Sequence, residues 1–194
     1  MRSWRCHEPV QGPVCVGCGA IQPPNAQADL FAVLGLPRRW QTASADVAKA
    51  WRKRSRQVHP DRFAGKGAVE RRMALQWTAA VNEAKRVLTD DRLRAHYVAT
   101  GKAAPDETGG PRLDPDFLET VFDLQMQVSD DPGAAAAEAQ RLSDALMAQV
   151  DGALSALDAG EDVSLPPVEA DLARLRYLDK TLAQARAAAA NRAD

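Results

Sequence analysis

The stretch RQVHPDRF, residues 56–63, decides how the first half of the chain folds. Pro60 disfavours the helical conformation at the residue before it, so a helix that runs into this stretch ends near His59. Asp61 can then cap the structure that follows. The stretch by itself therefore predicts a helix stop and a polar loop.

The segments on either side of this loop predict two long helices. SADVAKAWRKRSRQV, residues 44–58, gives the first, with Ser44 as its N-cap. The second runs from about Ala68 to Leu88 and has one apolar stripe at helical spacing. The stripe consists of Met73, Trp77, Ala80, Val81, Ala84, Val87 and Leu88. Two such helices joined by a polar loop should pack as an antiparallel hairpin.

Two short helices flank the predicted hairpin. DLFAVLGLP, residues 29–37, gives a helix that Gly35 and Pro37 stop, and DRLRAHYV, residues 91–98, gives another. Alanine-rich blocks elsewhere favour helix, and no stretch alternates convincingly enough to predict a strand. The chain is therefore predicted to be all-α.

A basic face lies on the helix before the loop. Lys49, Arg52, Lys53 and Arg56 have the spacing i, i+3, i+4 and i+7, so they share one side of the helix, and no acid interrupts them. A solvated helix face is the simpler interpretation of a charge run. Four cations without a compensating acid repel one another, however, and favour a surface that meets an acidic partner.

His59 and Asp61 also raise the alternative of an enzyme. A histidine and a carboxylate can carry out general acid–base chemistry, but they need a nucleophile or a metal in a pocket. No serine or cysteine nucleophile signature lies near this loop. A hydrolase that uses His59 and Asp61 is therefore the less favoured function.

The order of these motifs resembles the J-domain of DnaJ-type co-chaperones. FAVLGL, the basic helix, HPDRF and VNEAKRVLTDDRLRAHY follow one another over roughly residues 29–98. The resemblance implies a domain that docks on a DnaK-type chaperone and triggers its ATP hydrolysis. Pro60 would shape the loop, His59 and Asp61 would make polar contacts with the ATPase, and the basic face would supply electrostatic attraction.

Arg54 departs from the J-domain pattern. The family usually has an apolar residue at this position, facing the third helix. An arginine can lay its aliphatic stem along the core and keep its charged head in water. We therefore expect the guanidinium of Arg54 to reach solvent.

Charge and composition divide the chain into four segments. Residues 1–112 hold 19 Lys and Arg against 10 Asp and Glu, whereas residues 113–194 hold 6 against 16. The predicted segments are a cysteine-containing, zinc-knuckle-like module at 1–24, the J-domain at 25–100, a linker at 101–112 (GKAAPDETGGPR) and a C-terminal unit at 113–194. Opposite charges on the two halves indicate different partners.

The acidic C-terminal unit is predicted to be a three-helix bundle. Asp114 and Pro115 open its first helix, and two further helices are expected at about 132–158 and 167–190. The first helix has too many apolar residues for one narrow stripe, so some should face inward and some outward. Those residues are Leu118, Val121, Phe122, Leu124, Met126 and Val128.

This unit resembles the client-binding bundle of the HscB family of iron–sulfur co-chaperones. DPDFL, residues 114–118, and DLARLRYLDK, residues 171–180, carry the resemblance, which with the J-domain extends over about residues 29–182. It implies a client face formed by Leu118, Phe122, Asp123 and Tyr177. Glu119 and Met126 depart from the family, which often has an apolar residue and an acidic residue, respectively, at those positions.

The resemblance implies the function of the whole chain. Such a protein binds an IscU-type scaffold, delivers it to a DnaK/HscA-type chaperone and stimulates that ATPase without catalysing a reaction itself. A J-domain co-chaperone with a different protein client is the alternative. An exposed apolar patch ringed by acids suits a protein partner and not a nucleic acid.

Three cysteines near the N-terminus indicate a metal site. Cys15 and Cys18 form a C-x-x-C pair, and thiolates at that spacing together with Cys6 can hold a tetrahedral zinc ion. Some relatives of the HscB family have two such pairs, and on that pattern Pro9 stands where the fourth cysteine is expected. His7, water or a partner could complete the site, and free thiols remain the alternative. No other cofactor is expected.

The rest of the composition argues for a cytoplasmic protein. No apolar run approaches the roughly 20 residues needed to span a bilayer, and the N-terminus has no hydrophobic signal core. Three cysteines also make no even disulfide framework. No membrane partner is therefore expected.

Overall fold

The computed structural model describes residues 1–25, 27–105 and 111–193. Its described part is helical, with β-pairing limited to two isolated β-bridges near the N-terminus, which confirms the predicted all-α class. The helices are α1 Leu30–Leu34, α2 Ser44–Val58, a 3₁₀ turn Pro60–Phe63, α3 Ala68–Thr89, α4 Asp91–Thr100, α5 Pro115–Asp130, α6 Pro132–Asp158 and α7 Leu165–Ala193.

The chain forms two compact units, Met1–Arg94 and Ala95–Asp194. The division falls inside α4, whereas the sequence predicted a domain end at residue 100. Residues 106–110 of the predicted linker 101–112 lie outside the described residues. The domain boundaries therefore remain predictions.

In the first unit, α2 and α3 pack side by side in opposite directions. Ser44 Oγ donates to Thr89 O over 3.4 Å at one end, and Trp51 Nε1 donates to Asn82 Oδ1 over 3.0 Å further along. The residue numbers rise on one helix as they fall on the other, as an antiparallel pair requires. Lys85 also stacks over the Trp51 ring, 4.1 Å from its centroid.

The helix ends in this unit follow local capping chemistry. Asp29 caps α1 by accepting hydrogen bonds from the amides of Phe31 and Ala32, and Gly35 ends the helix with φ of 75°. The prediction that Ser44 caps α2 was wrong, because the N-cap is Ala43 and Ser44 is the first helical residue. The Ser44 hydroxyl is instead used for the contact with α3.

Arg54 does not extend into solvent as expected. Its guanidinium lies over the end of α1, so that a methyl group added at Gly35 would lie 2.7 Å from Nη2. Nη1 donates to Gln57 Oε1, and Nε is buried with no hydrogen-bond partner among the described residues. Burial lowers the pKa of the side chain. The charge is therefore held partly out of water, beside a glycine that leaves room for it.

The second unit contains a bundle of α5, α6 and α7. Arg174 stacks on Phe117 near the start of α5, and Arg192 donates to the carbonyls of Ser129 and Asp130 at its end, so α5 and α7 run in the same direction. The apolar core contains Val121, Leu124, Ala139, Leu178 and Leu182, with Phe117, Ala136, Leu142 and Leu146 packed against it. The predicted bundle is confirmed, and its third helix begins at Leu165.

Replacing Gly35 with alanine should lower the free energy of unfolding by at least about 1–2 kcal/mol. A side chain is strained at a positive φ, and the guanidinium of Arg54 would have to move away from the added Cβ. Urea denaturation measures the change. Gly65→Ala is the matched control because nothing lies within 4 Å of a Cβ there, and it should shift stability by less than about 0.5 kcal/mol. Equal effects of the two substitutions would contradict this account of Gly35.

Candidate partner-binding surfaces and cysteine cluster

The His59-Pro60-Asp61 loop is an exposed turn with a fixed backbone. His59 ends α2 and begins the 3₁₀ turn, in which Pro60 occupies the first position. The side chain of Phe63 is buried beneath the turn and anchors it. The local sequence therefore holds His59 and Asp61 at the surface on a rigid turn.

The imidazole of His59 is oriented by its neighbour. Its Nδ1 accepts a hydrogen bond from the Asp61 amide over 3.3 Å and lies 3.5 Å from Asp61 Oδ2. In the neutral ring this arrangement puts the proton on Nε2. The Asp61 side chain is 90% exposed, so both its carboxylate and the His59 Nε2–H are available to another molecule.

All four residues of the predicted basic face are exposed on α2: Lys49, Arg52, Lys53 and Arg56. Within the described part of the chain, none of them forms an ion pair. Arg62, from the 3₁₀ turn, donates to the Arg56 carbonyl over 3.1 Å and adds a fifth cation beside the loop. The loop and the basic face thus form one positively charged surface.

The surroundings of His59 and Asp61 do not resemble an enzyme pocket. A cleft of 1110 Å³ lies between the N-terminal module, the end of α1 and α2, and its lining includes Lys49 and Lys53 but neither His59 nor Asp61. The pair projects from an exposed turn, where water competes for every contact. This geometry suits contact with a partner protein better than general acid–base catalysis.

An apolar strip runs along the outer face of α5. Leu118, Phe122 and Met126 follow one another at intervals of four residues and are 43%, 60% and 60% exposed. Val121 and Leu124 on the same helix are buried in the bundle core, so the inward and outward division expected from the sequence is present. Asp123 and Glu119 are exposed beside the strip.

Tyr177 of α7 lies close to the same level of the bundle. Arg174, one turn before it, stacks on Phe117, and the two helices are parallel. Tyr177 is therefore level with the turn of α5 that contains Val121 and Phe122. Its ring is 45% exposed, whereas the adjacent Leu178 is fully buried.

The three cysteines come together as the sequence predicted. The sulfurs of Cys6, Cys15 and Cys18 all lie within 4.8 Å of one another, and those of Cys6 and Cys15 are 3.5 Å apart. Tetrahedral zinc with bonds of about 2.3 Å places neighbouring sulfurs about 3.8 Å apart. The cluster therefore fits three corners of a tetrahedral metal site. A backbone hydrogen bond from Ala20, reinforced by the Ser3 hydroxyl, lowers the pKa of Cys18 to about 7.

Two tryptophans hold the cysteine module: Trp4 bonds within it, and Trp77 attaches it to α3. Trp4 Nε1 donates to Ile21 O, and Trp77 Nε1 donates to Gln22 O, each over 2.7 Å. Arg5 approaches the buried Glu70 at 3.8 Å. The sequence placed Trp77 only in an apolar stripe, although a buried indole N–H needs an acceptor and could have signalled this contact.

Arg94 is a structural residue that the sequence reasoning missed. It is 6% exposed, donates to the carbonyls of Trp40 and Leu88, and pairs with Asp91. Its guanidinium also lies 4.7 Å from the centroid of the Trp40 ring. These contacts join the loop before α2 to the start of α4. His96 lies in α4, with its Nε2 3.3 Å from Thr100 Oγ1.

Comparison with known proteins agrees with this arrangement. Residues 29–97 match the DnaJ domain family. A co-chaperone protein HscB homolog of Bordetella pertussis is 39% identical over 116 residues, which cover 58% of this chain and 68% of that protein. The homolog of Bordetella avium is 33% identical over 141 residues, covering 71% and 84%.

Solved structures show the same fold. The crystal structure of human co-chaperone protein HscB superimposes with a TM-score of 0.75, 22% sequence identity and coverage of 96% of this chain and 97% of that one. HscB from Vibrio cholerae gives a TM-score of 0.67 at 20% identity.

Residues 29–97 thus form a J-domain, which makes the molecule a J-domain co-chaperone and implies an Hsp70-type partner. The chain belongs to the HscB co-chaperone family. None of the described helices has the length and hydropathy that crossing a membrane requires.

In the metal-free protein, Cys18 should be alkylated by iodoacetamide half-maximally near pH 7. A lowered thiol pKa means that the reactive thiolate already forms there, and the rate should rise through pH 7 and level off above it. Mass spectrometry of the modified peptides measures the rate, with Cys18→Ser as the control that removes the signal. A half-maximum near pH 9 would contradict the proposed hydrogen bonding of the thiolate.

Proposed function

We propose that this protein binds an IscU-type scaffold, delivers it to a DnaK/HscA-type chaperone in the cytoplasm and stimulates that chaperone's ATPase during iron–sulfur cluster assembly or transfer. It acts as an activator and catalyses no reaction itself. The observation that carries the proposal is the exposed His59-Pro60-Asp61 turn at the end of a helix face with four cations, which form no ion pair with any described residue.

The basic face and the turn have complementary roles in the proposed contact. Lys49, Arg52, Lys53 and Arg56 attract an acidic chaperone surface and steer it during encounter. Pro60 fixes the turn, so little conformational entropy is lost when His59 and Asp61 make their contacts. The carboxylate of Asp61 can accept from a basic group of the ATPase, and His59 Nε2 can donate.

His59→Gln should abolish stimulation of the chaperone's ATPase. The glutamine oxygen can still accept a hydrogen bond from the Asp61 amide, and the side chain at this position is exposed. The free energy of unfolding should therefore change by less than about 0.5 kcal/mol. Steady-state ATP hydrolysis measures the stimulation, and circular dichroism measures the fold. Lys66→Gln, an exposed change in the connection that follows the turn, is the matched control and should keep its activity.

Two results would count against this role of His59. Full stimulation by His59→Gln would remove the imidazole from the chaperone contact. Loss of helicity in the same variant would instead make His59 a structural residue.

The proposed client surface consists of Leu118, Phe122, Asp123 and Tyr177. An apolar strip about three turns long, bordered by exposed acids, is the kind of patch that marks a protein-binding surface. Aromatic side chains at the centre of such a patch contribute most of the affinity. The excess of acid in residues 113–194 opposes a nucleic-acid partner.

Phe122→Ala should weaken binding of an IscU-type scaffold by at least about tenfold, because it removes the most exposed aromatic ring of the client surface. Isothermal titration calorimetry measures the affinity. Gln127→Ala, also exposed but on the other side of α5, is the matched control and should bind as the unchanged protein does. Tight binding by Phe122→Ala would move the client elsewhere, while ATPase stimulation without scaffold should be the same in all three proteins.

A different protein client is favoured by one feature of the strip. Met126 is 60% exposed where the family often has an acid, and Glu119 is exposed where it often has an apolar residue. Both departures would be explained by a client that differs from the usual scaffold where it contacts Met126 and Glu119. In that case the chaperone contact stays as proposed and only the scaffold titration fails.

We further propose that Cys6, Cys15 and Cys18 hold a structural zinc ion. Zinc would supply no chemistry to the chaperone or client contacts. It would tie the segment that contains Cys6 to the segment that contains Cys15 and Cys18. Trp77 attaches this N-terminal module to α3. The close approach of the three sulfurs and the lowered pKa of Cys18 support the proposal.

A further inference from the structure

The N-terminal module is built from two turns with the same backbone pattern. One turn is closed by the bridge between Arg2 and Pro9, and the other by the bridge between Val14 and Ile21. Val14 lies 12 positions after Arg2, and Ile21 lies 12 positions after Pro9. The two turns are therefore structural repeats, although their sequences look different.

The backbone hydrogen bonds repeat with the same shift. Ser3 N donates to Glu8 O as Cys15 N donates to Ala20 O. The amide of residue 7 donates to the carbonyl of Ser3 as the amide of residue 19 donates to that of Cys15. Each bond of one turn thus has its counterpart in the other.

The residues that follow Cys6 and Cys18 also correspond. His7 and Gly19 both have a left-handed backbone, with φ of 61° and 70°. The amide of Glu8 is hydrogen-bonded to Cys6 as that of Ala20 is to Cys18. Cys6 is therefore the equivalent of Cys18, the second cysteine of its pair.

It follows that the equivalent of Cys15 in the first turn is Ser3. We infer that the Ser3 hydroxyl occupies the fourth corner of the metal site formed by Cys6, Cys15 and Cys18. Ser3 is 1% exposed, and its Oγ lies 3.6 Å from Cys18 Sγ. A buried hydroxyl in contact with one of the three thiols is placed to act as the fourth ligand.

The hydroxyl oxygen also has the surroundings of a ligand. The amides of Arg5 and Cys6 and the side-chain amide of Gln22 approach it at 3.3–3.4 Å. These distances are long for N–H···O hydrogen bonds, which are usually about 2.9–3.0 Å. The donors surround a position that a larger, negatively charged sulfur would fill at normal N–H···S distances.

The register corrects the interpretation of two other residues. Pro9 does not stand at a ligand position, because it corresponds to Ile21 at the bridge of the other turn. His7 is the counterpart of Gly19 and serves as the turn residue in a left-handed conformation, which histidine adopts more readily than most residues. Neither residue completes the site.

Replacing a thiolate by a hydroxyl changes the chemistry of the site. A neutral serine oxygen is a harder and weaker ligand for zinc than a thiolate, so the ion is held by three strong bonds and one weak one. The site should therefore bind zinc less tightly than a four-cysteine site with the same backbone. Ser3→Cys should restore such a site without any change in the fold.

Titration of the full-length, reduced protein with Co²⁺ tests the inference, because cobalt replaces zinc and its charge-transfer absorption reports bound thiolates. Ser3→Cys should raise that absorption per cobalt by about one third, from three thiolates to four, and tighten binding by at least about tenfold. Pro9→Cys adds the same thiol at the position expected from the sequence and should change neither quantity. His7→Gly should keep the affinity of the unchanged protein.

The outcomes separate this inference from the zinc proposal on which it rests. Suppose that Ser3→Cys binds cobalt tightly and the unchanged protein binds none. That result would overturn the proposal that the natural protein holds zinc, but it would support the assignment of Ser3 to the fourth ligand position. Unchanged absorption and affinity in Ser3→Cys, with the fold intact by circular dichroism, would overturn the inference. An increase in Pro9→Cys, or a loss of binding in His7→Gly, would also overturn it.

Discussion

The antiparallel packing of α2 on α3 is the contact on which the first unit depends. It aligns Trp51 with Asn82 and brings the buried residues of both helices together. Because the two helices meet in opposite directions, their connection must turn sharply at one end, and the His59-Pro60-Asp61 turn is that connection. The same packing leaves the basic side of α2 facing away from α3.

The apolar side of α3 has a second role further along the helix. Trp77 is buried in the core and also donates to Gln22, so one residue serves both the hairpin and the N-terminal module. The module in turn borders α2, where Arg54 fills space between the end of α1 and the loop that contains Gly12. The N-terminal module thus gives Arg54 a neighbouring segment at a position where J-domains usually have an apolar residue.

Sequence patterns predicted the helices well because their signals are local. The apolar stripe, the stop at Gly35 and the proline after Asp114 each act within one or two turns. Contacts between distant segments could not be predicted in this way. The buried network of Arg94 and the orientation of Arg54 depend on residues about 20 to 50 positions away.

The candidate site was predictable to a similar degree. The loop and the basic face follow from the sequence pattern, whereas the client residues on α5 were implied by the resemblance to the HscB family. The surface exposure of all three agrees with those expectations. The fourth corner of the cysteine site was not predictable from spacing between cysteines, because a serine occupies the equivalent position. The repeated backbone bridges and hydrogen bonds show which residues correspond.

The proposed function assigns two surfaces to the molecule, a basic one for the chaperone and an apolar, acid-bordered one for the client. Single-turnover ATP hydrolysis by a DnaK/HscA-type chaperone tests this most directly, with the full chain present and an IscU-type scaffold added or omitted. We predict stimulation by the chain alone and a further increase, greater than the sum of the separate effects, when the scaffold is added. The absence of stimulation under either condition would contradict the central claim.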